Sequence, residues 1–319
     1  MRRCGAVLLA VFFTVHLPAS HLRAQQPTWE QLDSRGSAFY QSGKYADAEI
    51  EHRAALQQAE AFPPDDTRLT TSLNNLAMDY EAEGKYADAE PLFFRSREVR
   101  KRLLGSQSAA TSRAQNNLAG LYQLESRNPE AEALFEEALV SQEAALGPND
   151  PEVARTLNNL SVLYSSSGRF ADAEVFARRA LAIDERALGP ADPIVATLLT
   201  NIAGAEMMRN KGVDVEPLYL RALGISQKSL GPDHPGVALI LSSLAAFYER
   251  EGDKKRAEKL FKRALAIQQR ALGPGNPAVA TTLANLARLN STQHKQRQAS
   301  ALQARADSIL GKGSSGATP

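Results

Sequence analysis

Three histidines lie beyond the first 24 residues, His52, His234 and His294, and none has a second metal-ligating or nucleophilic residue at a useful spacing. His52 and His294 stand alone in helical patterns. His234 occupies a linker position that Asp or Asn fills elsewhere in the chain. The sequence holds no HExxH, no glycine-rich phosphate loop and no Ser or Cys nucleophile signature. No catalytic residue, metal or cofactor is expected, and the chain reads as a non-enzyme. One polar series stands apart. Asn75, Asn117, Asn159 and Asn201 follow one another at 42-residue steps, Ser243 takes the next place and Asn285 the one after. On a helical wheel Asn159 points away from Leu157, Leu160 and Tyr164. The series therefore builds a ladder of amides along one face. An amide both donates and accepts, so such a ladder can pair with the backbone of an extended peptide whatever its side chains. The competing reading has the amides bonding neighbouring helices. Arg113 and Arg155 fall nearby and could hold an acidic residue or a C-terminal carboxylate, or they are solvated surface cations.

The elements that position these residues follow from the 42-residue period, which marks a repeat array. In the unit 154–188, Leu157, Leu160, Ser161 and Tyr164 lie at i, i+3, i+4 and i+7, one apolar stripe containing a small residue. The small position recurs as Ala77, Ala119, Ala203, Ala245 and Ala287 and admits a second helix closely. Gly168 ends the first helix. A second helix is expected over Phe170–Leu188, with Ala173, Ala177, Ala180, Leu181 and Leu188 facing inward. Leu-Gly-Pro at 146–148, 188–190, 230–232 and 272–274 stops it. Asp150-Pro151, Asp192-Pro193, His234-Pro235 and Asn276-Pro277 then start the next one, the residue before Pro serving as N-cap.

This pattern resembles the tetratricopeptide repeat. The NNL tripeptides, the Ala-Glu pairs at 89–90, 131–132, 173–174 and 257–258, and the GPDHP linker at 231–235 make it similar to the 42-residue version of kinesin light chains. The resemblance implies an all-α fold, a right-handed α-solenoid of about seven antiparallel helix pairs. It also implies that the Asn ladder lines the concave groove, and that the chain is a scaffold for a protein or peptide partner rather than a catalyst. A self-associating structural or envelope-assembly array is the alternative.

The array is expected over 27–310, with repeats at about 29–62, 69–104, 111–146, 153–188, 195–230, 237–272 and 279–310. Trp29 should close the core at the N-terminal end, and Ser126 with Asn128-Pro129 should loosen the turn of the third repeat. The fifth repeat departs most: Glu206 replaces the tyrosine of Tyr80, Tyr122, Tyr164 and Tyr248, Asn210 replaces the turn glycine, and Met207-Met208 appear. That repeat is either a plastic, methionine-lined contact site or a drifted unit held by its neighbours. The seventh loses Tyr and Gly to Asn290 and His294 and turns polar, as a capping pair does.

The charge balance of 37 Lys and Arg against 36 Asp and Glu gives no basic stripe for nucleic acid. Met1–Ala24 differs in kind. Arg2-Arg3 precedes the apolar run Gly5–Leu17, too short to span a bilayer as a helix, and Leu22-Arg23-Ala24 is a plausible cleavage site. A signal peptide over 1–24 is expected, hence an exported, periplasmic or secreted protein without an integral membrane span after cleavage. Cleavage also removes Cys4, the only cysteine, and with it any disulfide. The Gly/Ser-rich 311–319 tail lacks apolar anchors and is expected to be disordered.

Overall fold

The computed structural model describes residues 26–210 and 215–311. The signal peptide expected over 1–24 and the tail after Gly311 lie outside the described residues. Among those residues there are fourteen helices in seven pairs: α1 (Trp29–Gln41) with α2 (Tyr45–Ala59), α3 (Thr67–Ala82) with α4 (Tyr86–Leu104), and α5 (Ala109–Leu124) with α6 (Asn128–Leu146). Then come α7 (Pro151–Ser166) with α8 (Phe170–Ala187), α9 (Pro193–Met208) with α10 (Val215–Leu230), α11 (Pro235–Arg250) with α12 (Lys254–Leu272), and α13 (Pro277–Thr292) with α14 (Gln296–Ile309). Each helix packs on the one before and the one after it, which makes an all-α solenoid. First helices of successive repeats (α1 with α3, α5 with α7, α7 with α9, α9 with α11) approach one another more closely than second helices do. The side on which like helices converge is the inside of a curve. The odd-numbered helices therefore line the concave face.

The expected stripe is buried: Leu157, Leu160, Ser161 and Tyr164 are each at most 2% exposed. On α8, Ala173, Ala177 and Ala180 are fully buried and Ile183 joins them, while Leu188 lies half-exposed at the helix end instead of facing the core. The N-caps are those the linkers announce. The Asp150 and Asp192 carboxylates each accept from the backbone N–H two residues on at 2.8 Å, and Asn276 does so at 2.9 Å. His234 does the same with Nδ1, accepting from Gly236 N–H at 3.0 Å. That histidine is thus a cap. His234→Asp places a full negative charge against the N-terminus of α11 and should stabilise the protein by about 0.5–1 kcal/mol, read from urea titration at neutral pH.

The third turn is not loosened. Ser126 stands where Gly84 and Gly168 stand and adopts their left-handed conformation, at φ 62°. Its N–H donates to the Gln123 carbonyl at 3.0 Å and Arg127 N–H to the Tyr122 carbonyl at 2.8 Å. The same pair of bonds closes the turn at Gly84 and Lys85, at 3.0 and 2.8 Å. Pro129 falls in the first turn of α6, where no intrahelical bond is lost. The turn closes on backbone bonds, so a serine that tolerates positive φ serves in place of glycine. At the N-terminal end Trp29 is half-buried, its indole N–H donating to Ser72 Oγ at 2.7 Å.

The Ala-Glu pairs have a division of labour. The first member is core: Ala89, Ala131, Ala173 and Ala257 are fully buried. The glutamate bridges to a cation of the next repeat: Glu49 to Lys85 at 2.7 Å, Glu90 to Arg127 at 3.0 Å, Glu132 to Arg169 at 2.6 Å and Glu258 to Lys295 at 3.3 Å. Glu174 to Arg209 and Glu216 to Arg256 complete the series. Arg127, Arg169 and Arg256 also stack on Tyr122, Tyr164 and Tyr248, within 4.1 Å of the ring centres. Each such pair is worth little alone. Repeated, they fix the register of one repeat on the next.

Candidate functional site: the concave face

Three hollows run together along the concave face of the fourth to seventh repeats. One of 240 Å³ lies between α9 and α11 against Ile194, Leu230 and Leu239. It continues through Thr200, Asn201 and Leu239 into a hollow of 530 Å³ walled by Val162, Met207 and Met208. Met207 and Ala246 carry that into a third, of 520 Å³, whose rim holds Arg250, Lys254 and Arg288.

The Asn ladder is only partly disposed toward this groove. Asn201 lines it, and Asn75 lines a smaller hollow at the other end of the array. All five ladder residues are half-buried. Three spend an amide hydrogen on the preceding first helix: Asn75 Nδ2 donates to Asp33 Oδ1 at 2.9 Å, Asn117 Nδ2 to Asn74 Oδ1 at 2.6 Å, and Asn201 Nδ2 to Asn158 Oδ1 at 2.9 Å. The second Asn of one tripeptide thereby grips the first Asn of the tripeptide before it. Asn116 instead donates to Thr156 Oγ1 at 2.7 Å, and that hydroxyl donates to Gln142 Oε1 at 2.6 Å. Thr282 and Gln268 repeat the last contact at 2.7 Å. This buried wiring escaped the sequence reading. Its signal was a Thr fourteen residues after a Gln, found in two repeats.

Arg113 and Arg155 do come together, and on one internal acid. Arg113 donates to Glu152 Oε1 at 3.3 Å and Arg155 to Oε2 of the same carboxylate at 3.5 Å. An incoming carboxylate would meet a pair of cations already holding one.

The fifth repeat supplies Gly204, Met207, Met208 and Tyr219 to the 530 Å³ hollow, and Glu206 is not among the residues lining it. Glu206, in the tyrosine slot, is buried and turned toward Arg178, which also holds Glu174 at 3.0 Å. Gly204 adds no side chain to the floor. Tyr219 comes up from α10 instead, its ring buried and its hydroxyl 3.8 Å from where a Cβ on residue 204 would lie. Burial pushes the Tyr219 phenol up to about 12. A phenol held neutral by the fold contributes stability present below the unfolded value near 10 and lost as pH rises toward 12. Tyr219→Phe should remove roughly 2–3 kcal/mol of the alkaline loss over that window, measured by urea titration from pH 9 to 12.

The smaller hollow, of 110 Å³, is lined by Ser37, Tyr40, Gln41, His52, Asn75 and Met78. Behind it His52 Nδ1 meets Asp79 Oδ2 at 2.6 Å, with both side chains at most 3% exposed. In the next two repeats the same two slots hold Phe93 with Leu121 and Phe135 with Leu163, all buried. Burial pushes the Asp79 carboxyl up and the facing imidazole pulls it down. Gly36 stands where Ala77 and Ala119 stand because the imidazole takes the room: a Cβ there would lie 2.4 Å from the ring.

A tetratricopeptide repeat family model matches residues 31–102, 68–139, 110–186, 194–269 and 237–309. No curated protein is significantly similar in sequence. Among solved structures, BtubC (BKLC) from P. vanneervenii superimposes with TM-score 0.59 at 27% identity, covering 73% of this chain and 94% of that one. A putative kinesin light chain from Podosopora anserina, with nearly identical TPR-like repeats, gives 0.57 at 23%, over 66% of this chain and 99% of its own. The apo quorum sensor NprR from B. thuringiensis gives 0.73 at 13%, over 88% and 76%.

Proposed function

The chain belongs to the tetratricopeptide repeat family, and from that premise we propose that it is a non-enzymatic scaffold whose concave face grips a segment of a partner protein. The continuous groove along α7, α9, α11 and α13 is the observation that carries this reading. It offers apolar walls with hydroxyls and amides spaced between them, which suits an extended chain presenting backbone and side chains together. Asn75, Asn117, Asn159, Asn201 and Asn285 contribute whatever donor and acceptor capacity their helix-to-helix bonds leave over. Arg113 and Arg155 would take an acidic residue only by displacing Glu152. The basic N-terminal pair and apolar run lead us to propose export as well, with Gln25 at the mature N-terminus, which Edman sequencing of the envelope fraction would test.

Photo-cross-linking tests the face. A benzophenone amino acid placed singly at Gly120, Val162 or Leu239 probes the concave side, and at Ile50, Val140 or Val175 the second-helix side. The expected result is one partner adduct recovered from concave positions alone. Adducts confined to the second-helix positions would sink the proposal.

A further inference from the structure

We propose that two copies of the chain associate through their second-helix faces, as an isologous dimer in which α6 of each copy lies against α12 of the other. The two-fold axis runs along the helices between α8 and α10. It reverses the order of the repeats and keeps every position of the 42-residue unit at its own height. This face lies opposite the proposed groove, so the dimer leaves the groove free.

The chain's charge sums to almost nothing but is unevenly laid. Residues 25–191 hold 26 Asp and Glu against 17 Lys and Arg, and residues 192–319 hold 10 against 17. The split is sharpest on two second helices. α6 carries five glutamates and no base, whereas α12 carries seven Lys and Arg and one glutamate. The inversion falls on the same places in the unit, since Glu136 and Glu137 stand three 42-residue steps before Lys262 and Arg263. Both glutamates are exposed; Glu137 meets Arg97 only at 3.5 Å, and Glu136 accepts from the Tyr164 hydroxyl at 3.1 Å. On α12, Lys255, Lys259 and Arg263 are exposed and meet no carboxylate among the described residues. Three repeats separate the acid row from the base row, so they cannot meet within one chain. Across two antiparallel copies they meet twice.

Between the two rows the face is apolar. The residue after the bridging glutamate is Ile50, Pro91, Ala133, Val175 and Pro217 in the first five repeats, all exposed, and becomes Lys259 in the sixth. Val175 is 65% accessible, Leu220 on α10 48% and Val140 on α6 68%. One exposed apolar residue needs no explanation, but a stripe of them at one repeated position does. An apolar centre with charged flanks is the plan of a protein interface, in which the centre supplies affinity and the flanks set the register. A parallel arrangement would set α6 on α6 and α12 on α12, like charge against like, so charge selects the antiparallel order. An anionic surface would answer α12 and repel α6, whereas a second copy answers both.

Sedimentation equilibrium of the purified protein tests this. Dimers should form at about 50 mM salt and weaken about tenfold at about 0.5 M. Lys259→Glu/Arg263→Glu and, separately, Glu136→Lys/Glu137→Lys should each weaken dimerisation about tenfold or more, because each sets like charges at both flanks of the interface. Mixing the two variants should restore the parent's affinity, since each brings the sign the other lacks, and no folding defect can mimic that rescue. Val175→Ser/Leu220→Ser should weaken the dimer and leave its salt dependence unchanged. A parent that stays monomeric at low salt, charge-reversed variants that dimerise like the parent, or a mixture that fails to recover would overturn the proposal. Polymers that lengthen with concentration would overturn the two-fold arrangement. A monomeric parent that sediments with phosphatidylglycerol vesicles, and loses them with Lys259→Glu/Arg263→Glu, would give the basic face to an anionic surface instead. Cross-links of the chain to itself at Val140 or Val175 report this face, and cross-links to another protein at concave positions report the groove, so the two readings fail separately.

Discussion

Asp79→Ala is expected to lower stability by about 3–5 kcal/mol, because it leaves His52 buried at the joint between the first two repeats without its carboxylate partner. The imidazole already uses its one strong contact on Asp79, and its Nε2 has no other partner among the described residues. The double replacement His52→Phe/Asp79→Leu should return stability to within about 1 kcal/mol of the parent, since it installs the pair that the next two repeats bury in the same slots. Gly36 leaves space for the new ring, as it does for the imidazole. Equilibrium urea unfolding of the parent, the single and the double variant decides the matter. A single variant as stable as the parent would mean that water reaches the pair, and a double variant as unstable as the single would mean that packing rather than charge is at fault.

Leu160→Ala is the second large effect, about 2–5 kcal/mol. Leu160 is fully buried among Leu157, Leu163, Tyr164 and Phe135, so the side chain spans the joint between the third and fourth repeats. In a solenoid each unit is held by its neighbours, so a defect at the centre should propagate. Hydrogen exchange should speed up through α5–α10 and leave the two ends protected. A cost below about 1 kcal/mol with uniform exchange would mean that the joint collapses around the cavity.

Much of the fold was legible because it repeats. Six copies of one stripe, a recurring turn and four copies of one linker gave the helix pairs and most caps, including the odd one at His234. What stayed hidden was chemistry carried between copies by residues of varying identity. Lys85, Arg127, Arg169 and Lys295 keep the 42-residue step, but Arg209 and Arg256 do the same job from places two residues before and three residues after it, so the series looks broken in the fifth and sixth repeats. His52 looked solitary, and nothing at Asp79 announced a pairing, because Phe and Leu fill those two slots in the next two repeats. For the candidate site the outcome divides. The Asn ladder was visible as a series, but its bonds to the preceding helix depend on how closely α1, α3, α5, α7 and α9 converge, which no spacing states. Met207 and Met208 were visible as a departure. The hollow they border was not, because it depends on how α7, α9 and α11 sit against one another, which no spacing states.

The bridges from glutamate to cation carry a consequence for how such a chain can change length. Each unit offers an acid to the unit after it and a base to the unit before it, so every internal copy is a plug at one end and a socket at the other. Duplicating or deleting a 42-residue block in register restores each pairing without a compensating mutation elsewhere. Array length is then nearly neutral to stability at the joints, and selection can set it by the reach the partner requires. The fifth unit is the exception. Its acid in the tyrosine slot is wired to Arg178 of the unit before, a contact particular to that pair of units. Growth by copying should therefore run through the regular units and leave the fifth in single copy, a fixed landmark in an otherwise extensible rod.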